Sequence, residues 1–268
     1  MKKVTQFLAI AVLALGIPKT FAISPNSVMT ADTPKTAVTS SYQVPILVYH
    51  SIGSTTNKKE TSSQQHYRIT TANFEAQMKY LSINGYHPVS FAAYLDSLQN
   101  GTKLPDKAVV LTFDDGWKTQ YIHAVPVLEK YKFTATFFIV TSYPDKGYTG
   151  YMSWADLKYL VDSGFDIESH TVSHAVLTKV DAITLASELS DSKKTLENKL
   201  GIKVTAIAYP TYMENAAVRA AAAQAGYTGG RAGWGKYINS IARIYELKSQ
   251  EALNNPNPFS LTRLPDLP

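Results

Sequence analysis

The sequence contains no cysteine, which excludes disulfide bonds, a thiolate metal site and a cysteine nucleophile. It also has little surplus charge. The formal net charge is +5, but three of the 26 basic residues and none of the 21 acidic residues lie in the first 22 positions. Without that segment 23 bases face 21 acids, and no basic stripe would follow a phosphate backbone. A nucleic acid partner is therefore not expected. A nucleotide is not expected either, because no Gly-rich phosphate loop follows any predicted strand.

Residues 1–22 have the pattern of a secretory signal peptide. Lys2 and Lys3 precede an apolar run from Phe7 to Ile17, and the small residue Ala22 ends the segment. That run is too short to span a bilayer comfortably, and no later stretch is long and apolar enough. An uncleaved N-terminal anchor is the alternative. The mature chain is expected to be secreted, or held at the cell wall or surface.

Residues 23–41 are expected to form a flexible linker, because Ser24–Ser41 contains eight Ser or Thr residues and two Pro residues. One folded domain is then expected over residues 42–268. The composition, with 45% hydrophobic and 18% charged residues, suits a chain that buries a core. We expect this domain to be a monomer.

Short apolar runs alternate with amphipathic segments through this domain. Val44–Tyr49 and Ala108–Phe113 predict buried strands, and Ser153 with Asp156 forms a capping-box pattern where a helix begins. Such alternation predicts an α/β fold with a mostly parallel sheet, either open or closed into a barrel. Further strands are predicted at 135–140, 165–168 and 204–208, and helices at 71–85, 92–98, 118–131, 185–200 and 215–225.

Polar residues directly follow four of the predicted strands. Because the carboxyl ends of parallel strands share one face, we expect these residues to meet at one rim. They are His50, Asp114 with Asp115, His170 with His174, and Tyr209.

These residue types favour a metal site. His170 and His174 can reach one ion if the segment between them turns helically, although a surface pair is the alternative. Adjacent carboxylates repel, and a cation would explain Asp114-Asp115 after a buried strand; a solvated acidic turn is the alternative. One Asp with two His leaves a coordination position open for water, as catalytic zinc sites do.

Two motifs together resemble a known family. Thr112–Gly116 (TFDDG), followed about fifty residues later by His170-x-x-x-His174, resembles the polysaccharide deacetylases of carbohydrate esterase family 4, the NodB-homology domain. Pro45–Ile52 resembles the opening of the branch that includes poly-β-1,6-N-acetylglucosamine deacetylases, and the similarity runs to the C-terminus. The resemblance implies a distorted (β/α) barrel of about seven strands, fewer than the eight of a regular barrel.

The resemblance also implies roles. Asp115, His170 and His174 match the ligands of a divalent metal, with Zn²⁺ as the default and Ni²⁺ or Co²⁺ as alternatives. Asp114 matches the general base, and Tyr209 matches the residue whose backbone N–H helps to hold the oxyanion. The implied activity removes N-acetyl groups from N-acetylglucosamine units of an extracellular or cell-wall polysaccharide and releases acetate.

The chain departs from the family pattern in three places. Many members have an Arg where this chain has Ile207 and Ala208, and 211–213 (Thr-Tyr-Met) replaces the usual Tyr-Gly ending. These departures concern how the substrate is bound and which groups surround the base Asp114. No His follows His174, which excludes the late His that serves many members as general acid. His50 fits the branch in which an early His does this; a structural His is the alternative.

Two other functions compete with the deacetylase. A non-catalytic glycan-binding barrel would fit the departures from the motif, but binding alone needs no base such as Asp114. A metal-dependent esterase that removes O-acetyl groups would use the same residues, because an alkoxide leaving group also benefits from an acid.

Overall fold

The computed structural model describes residues 44–53, 67–234 and 239–254. The predicted signal peptide, the predicted linker and both ends of the predicted domain 42–268 lie outside these ranges. The strands are β1 (Ile46–Tyr49), β2 (Ser51–Ile52), β3 (Arg68–Ile69), β4 (His87–Val89), β5 (Ala108–Phe113), β6 (Thr136–Ile139), β7 (Asp166–Ser169), β8 (Ala206–Ala208), β9 (Gly229–Trp234) and β10 (Leu247–Glu251).

Helices connect most of these strands. They are α1 (Thr71–Ile83), α2 (Phe91–Asn100), α3 (Val125–Tyr131), α4 (Ser142–Asp145), α5 (Trp154–Asp162), α6 (Ala182–Leu200) and α7 (Ala216–Gln224), with a π-helical turn at Gln120–Ala124 before α3. Within the described ranges, no helix has both the length and the apolar character that a membrane crossing requires.

Seven strands close into a parallel barrel. Their order is β1, β10, β9, β8, β7, β6 and β5, and β5 pairs again with β1 to complete the ring. β4 pairs with the first half of β5, on the edge whose second half pairs with β6. The predicted α/β fold, a distorted (β/α) barrel of about seven strands, is confirmed.

Strand register brings the predicted site residues to one end of the barrel. Tyr49 pairs with Phe113 in the β1–β5 ladder, and Ile139 pairs with Ser169 in the β6–β7 ladder. The residues that follow these strands therefore emerge together. All six residues of β5 are buried, as its apolar run predicts for a strand covered on both faces.

Local sequence signals explain most of the helix ends. Ser153 and Asp156 form the predicted capping box of α5. The N-cap of α1 is Thr70, whose side chain accepts the N–H of Asn73. The predicted helix 118–131 is observed as one continuous helical stretch, with a π turn at Gln120–Ala124 just before Pro126, which has no N–H to continue the α-helical ladder.

The close approach of β9 to its neighbours gives a stability prediction. A Cβ at Gly229 would lie 2.4 Å from Leu95 Cδ2 and 3.0 Å from the backbone oxygen of Ile244. Gly229→Ala should therefore lower the free energy of unfolding by about 2 kcal/mol through overpacking, as measured by urea denaturation. Gly150→Ala is the matched control, because a Cβ there meets no atom within 4 Å. Equal stabilities of the two variants would contradict this account.

Candidate active site

All six predicted site residues line one pocket of about 370 Å³ at the carboxyl ends of the barrel strands. The structure thus brings together residues that are up to 159 positions apart, because parallel pairing aligns the strand ends. They are His50, Asp114, Asp115, His170, His174 and Tyr209.

Three of these residues form a candidate metal site. Asp115 Oδ1 lies 3.5 Å from His170 Nε2 and 3.4 Å from His174 Nε2. All three ligand atoms lie within 4.8 Å of one another. Tetrahedral zinc with bonds of about 2.1 Å separates its ligand atoms by about 3.4 Å, so the donor set and its spacing fit a divalent cation such as zinc.

Neighbouring groups orient these ligands. His170 Nδ1 lies 2.8 Å from the backbone oxygen of Ala208, which can only accept, so Nδ1 carries the proton and the Nε2 lone pair is free. Trp117 Nε1 donates to Asp115 Oδ2 at 2.9 Å, which leaves Oδ1 for the cation. Burial and the neighbouring His170 lower the pKa of His174 to about 4, so this imidazole is neutral near pH 7, as a ligand must be.

The backbone of the His170–His174 segment is not helical, so the two imidazoles reach Asp115 without the helical turn that the sequence argument took as its condition. Thr171 and His174 have φ values of 70° and 62°, in the left-handed region. The Glu188 carboxylate on α6 holds this shape by accepting the N–H groups of Val172 and Ser173, both at 2.9 Å. An acid one helix away therefore directs both imidazoles towards Asp115.

Asp114 is buried beside this trio. Arg231 NH2 donates to Asp114 Oδ2 at 2.5 Å, while Asp114 Oδ1 has no hydrogen-bond partner within the described ranges. The fully buried Arg231 guanidinium lies over the rings of Phe138 and Tyr212. Asp114 therefore presents one oxygen that is held in place and one that is free to accept a proton.

His50 lies on the other side of Asp114, with its Nε2 3.8 Å from Asp114 Oδ2. Its Nδ1 lies 2.9 Å from Glu251 Oε1, and Tyr212 donates its hydroxyl to Glu251 Oε2 at 2.5 Å. Burial alone would lower the pKa of His50. The hydrogen bond and charge of Glu251, with the charges of Asp114 and Asp115, raise it to about 9. His50 is therefore protonated near neutral pH.

The backbone N–H of Tyr209 does not face the pocket as a free donor. It donates to the backbone oxygen of Arg231 at 3.1 Å, in the ladder between β8 and β9. Its phenol donates to the backbone oxygen of Tyr245. Thr211 also lines the pocket, and its φ of 56° is unusual for a β-branched residue and typical of functional sites.

Comparisons with known proteins agree with this geometry. A family model described as polysaccharide deacetylase matches residues 101–230. The Bacillus subtilis protein YxkH, whose name places it among polysaccharide deacetylases, is 35% identical over 185 residues, which are 69% of this chain and 62% of its own length. The structure of the Streptococcus pyogenes deacetylase PplD in complex with acetate matches with a TM-score of 0.75 at 27% identity, covering 83% of this chain and 97% of that chain.

The chain belongs to the polysaccharide deacetylase family. A poly-β-1,6-N-acetyl-D-glucosamine N-deacetylase of Staphylococcus aureus is 29% identical over 168 residues, 56% of each chain. The matched regions thus span less than two thirds of the YxkH and Staphylococcus aureus chains.

Many family members have an Arg where this chain has Ile207 and Ala208. The sequence did not show which residue pairs with Asp114 instead. The structure places Arg231 there, from a strand that was not predicted. A single charge within Gly229–Trp234 was the available signal, because a buried charge needs a partner. Glu251 and Tyr212, which hold His50, gave no comparable signal.

Gln120 was also missed. It is fully buried in the π turn, and its Nε2 donates to the backbone oxygens of His50 and Asp114 at 2.9 and 2.6 Å. A single side chain thus ties the ends of β1 and β5 together and fixes the spacing of the two residues that follow them. The π turn that carries Gln120 is a feature often found at functional sites.

Proposed function

We propose that this chain is a metal-dependent hydrolase that removes N-acetyl groups from N-acetylglucosamine units of a polysaccharide outside the cell. The observation that carries the proposal is the buried Asp114 carboxylate: its Oδ2 lies 4.0 Å from His170 Nε2 of the metal-ligand trio, and its Oδ1 has no hydrogen-bond partner within the described ranges. A glycan-binding protein would gain nothing from such a group, because an unpaired buried acceptor costs about 1–3 kcal/mol.

Asp115, His170 and His174 would hold the cation. When bound, a divalent ion of this kind polarises the acetyl carbonyl and makes a water molecule more acidic. The family membership and the closeness of the three ligand atoms, all within 4.8 Å of one another, support this assignment, and zinc is the ion that best suits one carboxylate with two imidazoles.

Asp114 is assigned as the general base that takes a proton from the attacking water. Its free Oδ1 is the acceptor, and Arg231 holds the other oxygen so that the carboxylate cannot rotate away. Water adds to the acetyl carbon and forms a tetrahedral oxyanion. With the Tyr209 N–H engaged in the β8–β9 ladder, we assign the oxyanion donor to the backbone N–H of Thr211, which lines the same pocket.

His50 is assigned as the general acid. The amine of the sugar leaves poorly as an anion, so the C–N bond breaks when His50 Nε2 gives it a proton. The products are acetate and a glucosamine unit. Glu251 keeps His50 in its protonated form, and Tyr212 fixes the Glu251 carboxylate.

The substrate and the location of the enzyme are inferred from a relative and from the N-terminal sequence. The Staphylococcus aureus relative is named for a β-1,6-linked N-acetylglucosamine polymer, which makes this polymer the first candidate. The signal-peptide pattern of residues 1–22 supports an enzyme that is secreted or retained at the cell wall or surface.

Acetate release tests the proposed function. Purified chain, with zinc added, should release acetate from at least one of poly-β-1,6-N-acetylglucosamine, peptidoglycan and chitin oligomers, and a chelator should abolish the release. Asp114→Asn should retain zinc and lose activity by about a hundredfold or more, because a general base is gone. Release from O-acetylated xylan alone would identify an esterase instead. Full activity of Asp114→Asn, or activity unaffected by chelation, would contradict the mechanism.

The pH dependence tests the role of His50. Since His50 acts when protonated, kcat/KM falls as the pH rises through its pKa of about 9. Glu251→Gln removes the charge that raises this pKa, so the basic limb should move to lower pH by about one to three units. Glu246→Gln is the control, because Glu246 pairs with Arg243 and Arg219 away from His50. An unchanged basic limb in Glu251→Gln would remove His50 from this role.

A further inference from the structure

Regular strand pairing stops just before the two side chains that the proposed reaction uses as base and acid. The last pair in the β1–β5 ladder is Tyr49 with Phe113, and the N–H of Asp114 donates to the backbone oxygen of Tyr49 at 2.9 Å. After His50 the chain leaves the barrel, since Ser51 pairs in a separate two-stranded sheet of β2 and β3. The barrel ladder alone therefore does not fix His50 relative to Asp114.

Gln120 bridges these two strand ends from the neighbouring π turn. Its Nε2 carries two protons, which allows it to donate both to the backbone oxygen of His50 at 2.9 Å and to that of Asp114 at 2.6 Å. The residue before it makes a second contact with the same chain segment, because the hydroxyls of Thr119 and Ser51 lie 3.0 Å apart. One short segment thus holds the chain where it leaves β1 and where it leaves β5.

The π turn allows the Gln120 side chain to face the strand ends. The N–H of Val125 donates to the backbone oxygen of Gln120 five residues earlier, one residue more than in an α-helix. This extra residue changes the direction of the side chains before the turn relative to those after it. Gln120 can therefore face the ends of β1 and β5 while Val125 and Leu128 of α3 pack in the hydrophobic core.

An amide is a costly side chain at this position. Gln120 is fully buried, and its Oε1 has no hydrogen-bond partner among the residues that the structure describes. A buried acceptor without a partner lowers the stability of the fold. A methionine of the same length would fill the space without that acceptor. What the amide adds over such an apolar side chain is the pair of bonds to the backbone oxygens of His50 and Asp114.

We propose that Gln120 is a positioning residue that sets the spacing between the proposed acid His50 and the proposed base Asp114. This inference rests on the proposed function. His50 Nε2 lies 3.8 Å from Asp114 Oδ2, and both groups must reach one acetamide, where Asp114 takes a proton from water and His50 gives one to the leaving nitrogen. A displacement of about 1 Å can lower a rate by about a hundredfold, so bonds that fix both strand ends act on the chemical step.

Gln120→Met tests this role, because it removes both donated bonds and keeps the length of the side chain. In the zinc-loaded enzyme, with a polymer that it deacetylates, kcat should fall by about tenfold to a hundredfold, while KM and the zinc Kd are retained. If this variant does not fold, Gln120→Asn carries the same test, since its amide is one methylene too short to reach both oxygens. A folded Gln120 variant with the kcat of the wild type would overturn the inference.

Gln99→Met is the matched control for loss of a glutamine amide. The Gln99 Nε2 also donates to a backbone oxygen, that of Thr228 at 3.0 Å, but it does so on an exposed part of α2. This variant should have the kcat and KM of the wild type.

A double-mutant cycle with His50→Ala shows whether Gln120 acts through the acid. In the His50→Ala background the spacing between acid and base no longer matters, so adding Gln120→Met should lower kcat by about twofold at most. A residue that only stabilises the fold would lower kcat by the same factor in both backgrounds. Equal factors would therefore overturn the inference.

Crystal structures separate this inference from the proposed function, because they require no activity. In Gln120→Met the distance between His50 Nε2 and Asp114 Oδ2 should increase by about 1 Å from its value of 3.8 Å. If no polymer releases acetate but this distance increases, the proposed function fails and the positioning role of Gln120 stands. An unchanged distance would overturn the inference, whether or not the enzyme is active.

Discussion

Two adjacent carboxylates at the end of one buried strand repel each other, and the rest of the site is arranged around that repulsion. Asp114 and Asp115 face different partners because the backbone turns sharply at Asp115, where φ is 71°. Asp114 pairs with the buried Arg231, and Asp115 lies against two imidazoles. Removing Arg231 would leave the buried Asp114 carboxylate uncompensated, which typically costs about 3–5 kcal/mol.

The closed barrel makes this arrangement possible. Asp114, which is the proposed base, follows β5, and its partner Arg231 lies in β9. His50, which is the proposed acid, follows β1, and its partner Glu251 ends β10. Because β1 pairs with both β5 and β10, His50 lies between Asp114 and Glu251. An open sheet would separate these two partners at opposite edges. The proposed roles of Asp114 as base and His50 as acid therefore depend on the closure of the barrel between β1 and β5.

Much of this could be predicted where a local pattern carried it. Apolar runs ending in polar residues located His50, Asp114, Asp115 and His170 at one rim, because strand burial and strand direction are both local properties. β9 and β10 escaped prediction, since Gly229–Trp234 is rich in glycine and Leu247–Glu251 is largely polar. The sequence therefore did not predict that Arg231 on β9 and Glu251 on β10 belong to the site.

The remaining errors concern backbone geometry. Thr171 and His174 have left-handed φ values where the sequence argument considered a helical turn, and the Tyr209 N–H is engaged by Arg231 next to the β8–β9 ladder. Neither follows from residue type, because a β-branched residue such as Thr171 avoids positive φ unless tertiary contacts impose it. Here the Glu188 carboxylate on α6 supplies those contacts from 14 residues beyond His174.

The central claim is that one cation binds at the Asp115, His170 and His174 side chains while Asp114 stays free beside it. Anomalous diffraction at the zinc absorption edge, from crystals grown with zinc, tests it most directly. The account predicts one strong peak about 2.1 Å from Asp115 Oδ1 and from both His Nε2 atoms, with Asp114 Oδ1 outside bonding distance. A peak elsewhere, or no peak at these three atoms, would contradict it.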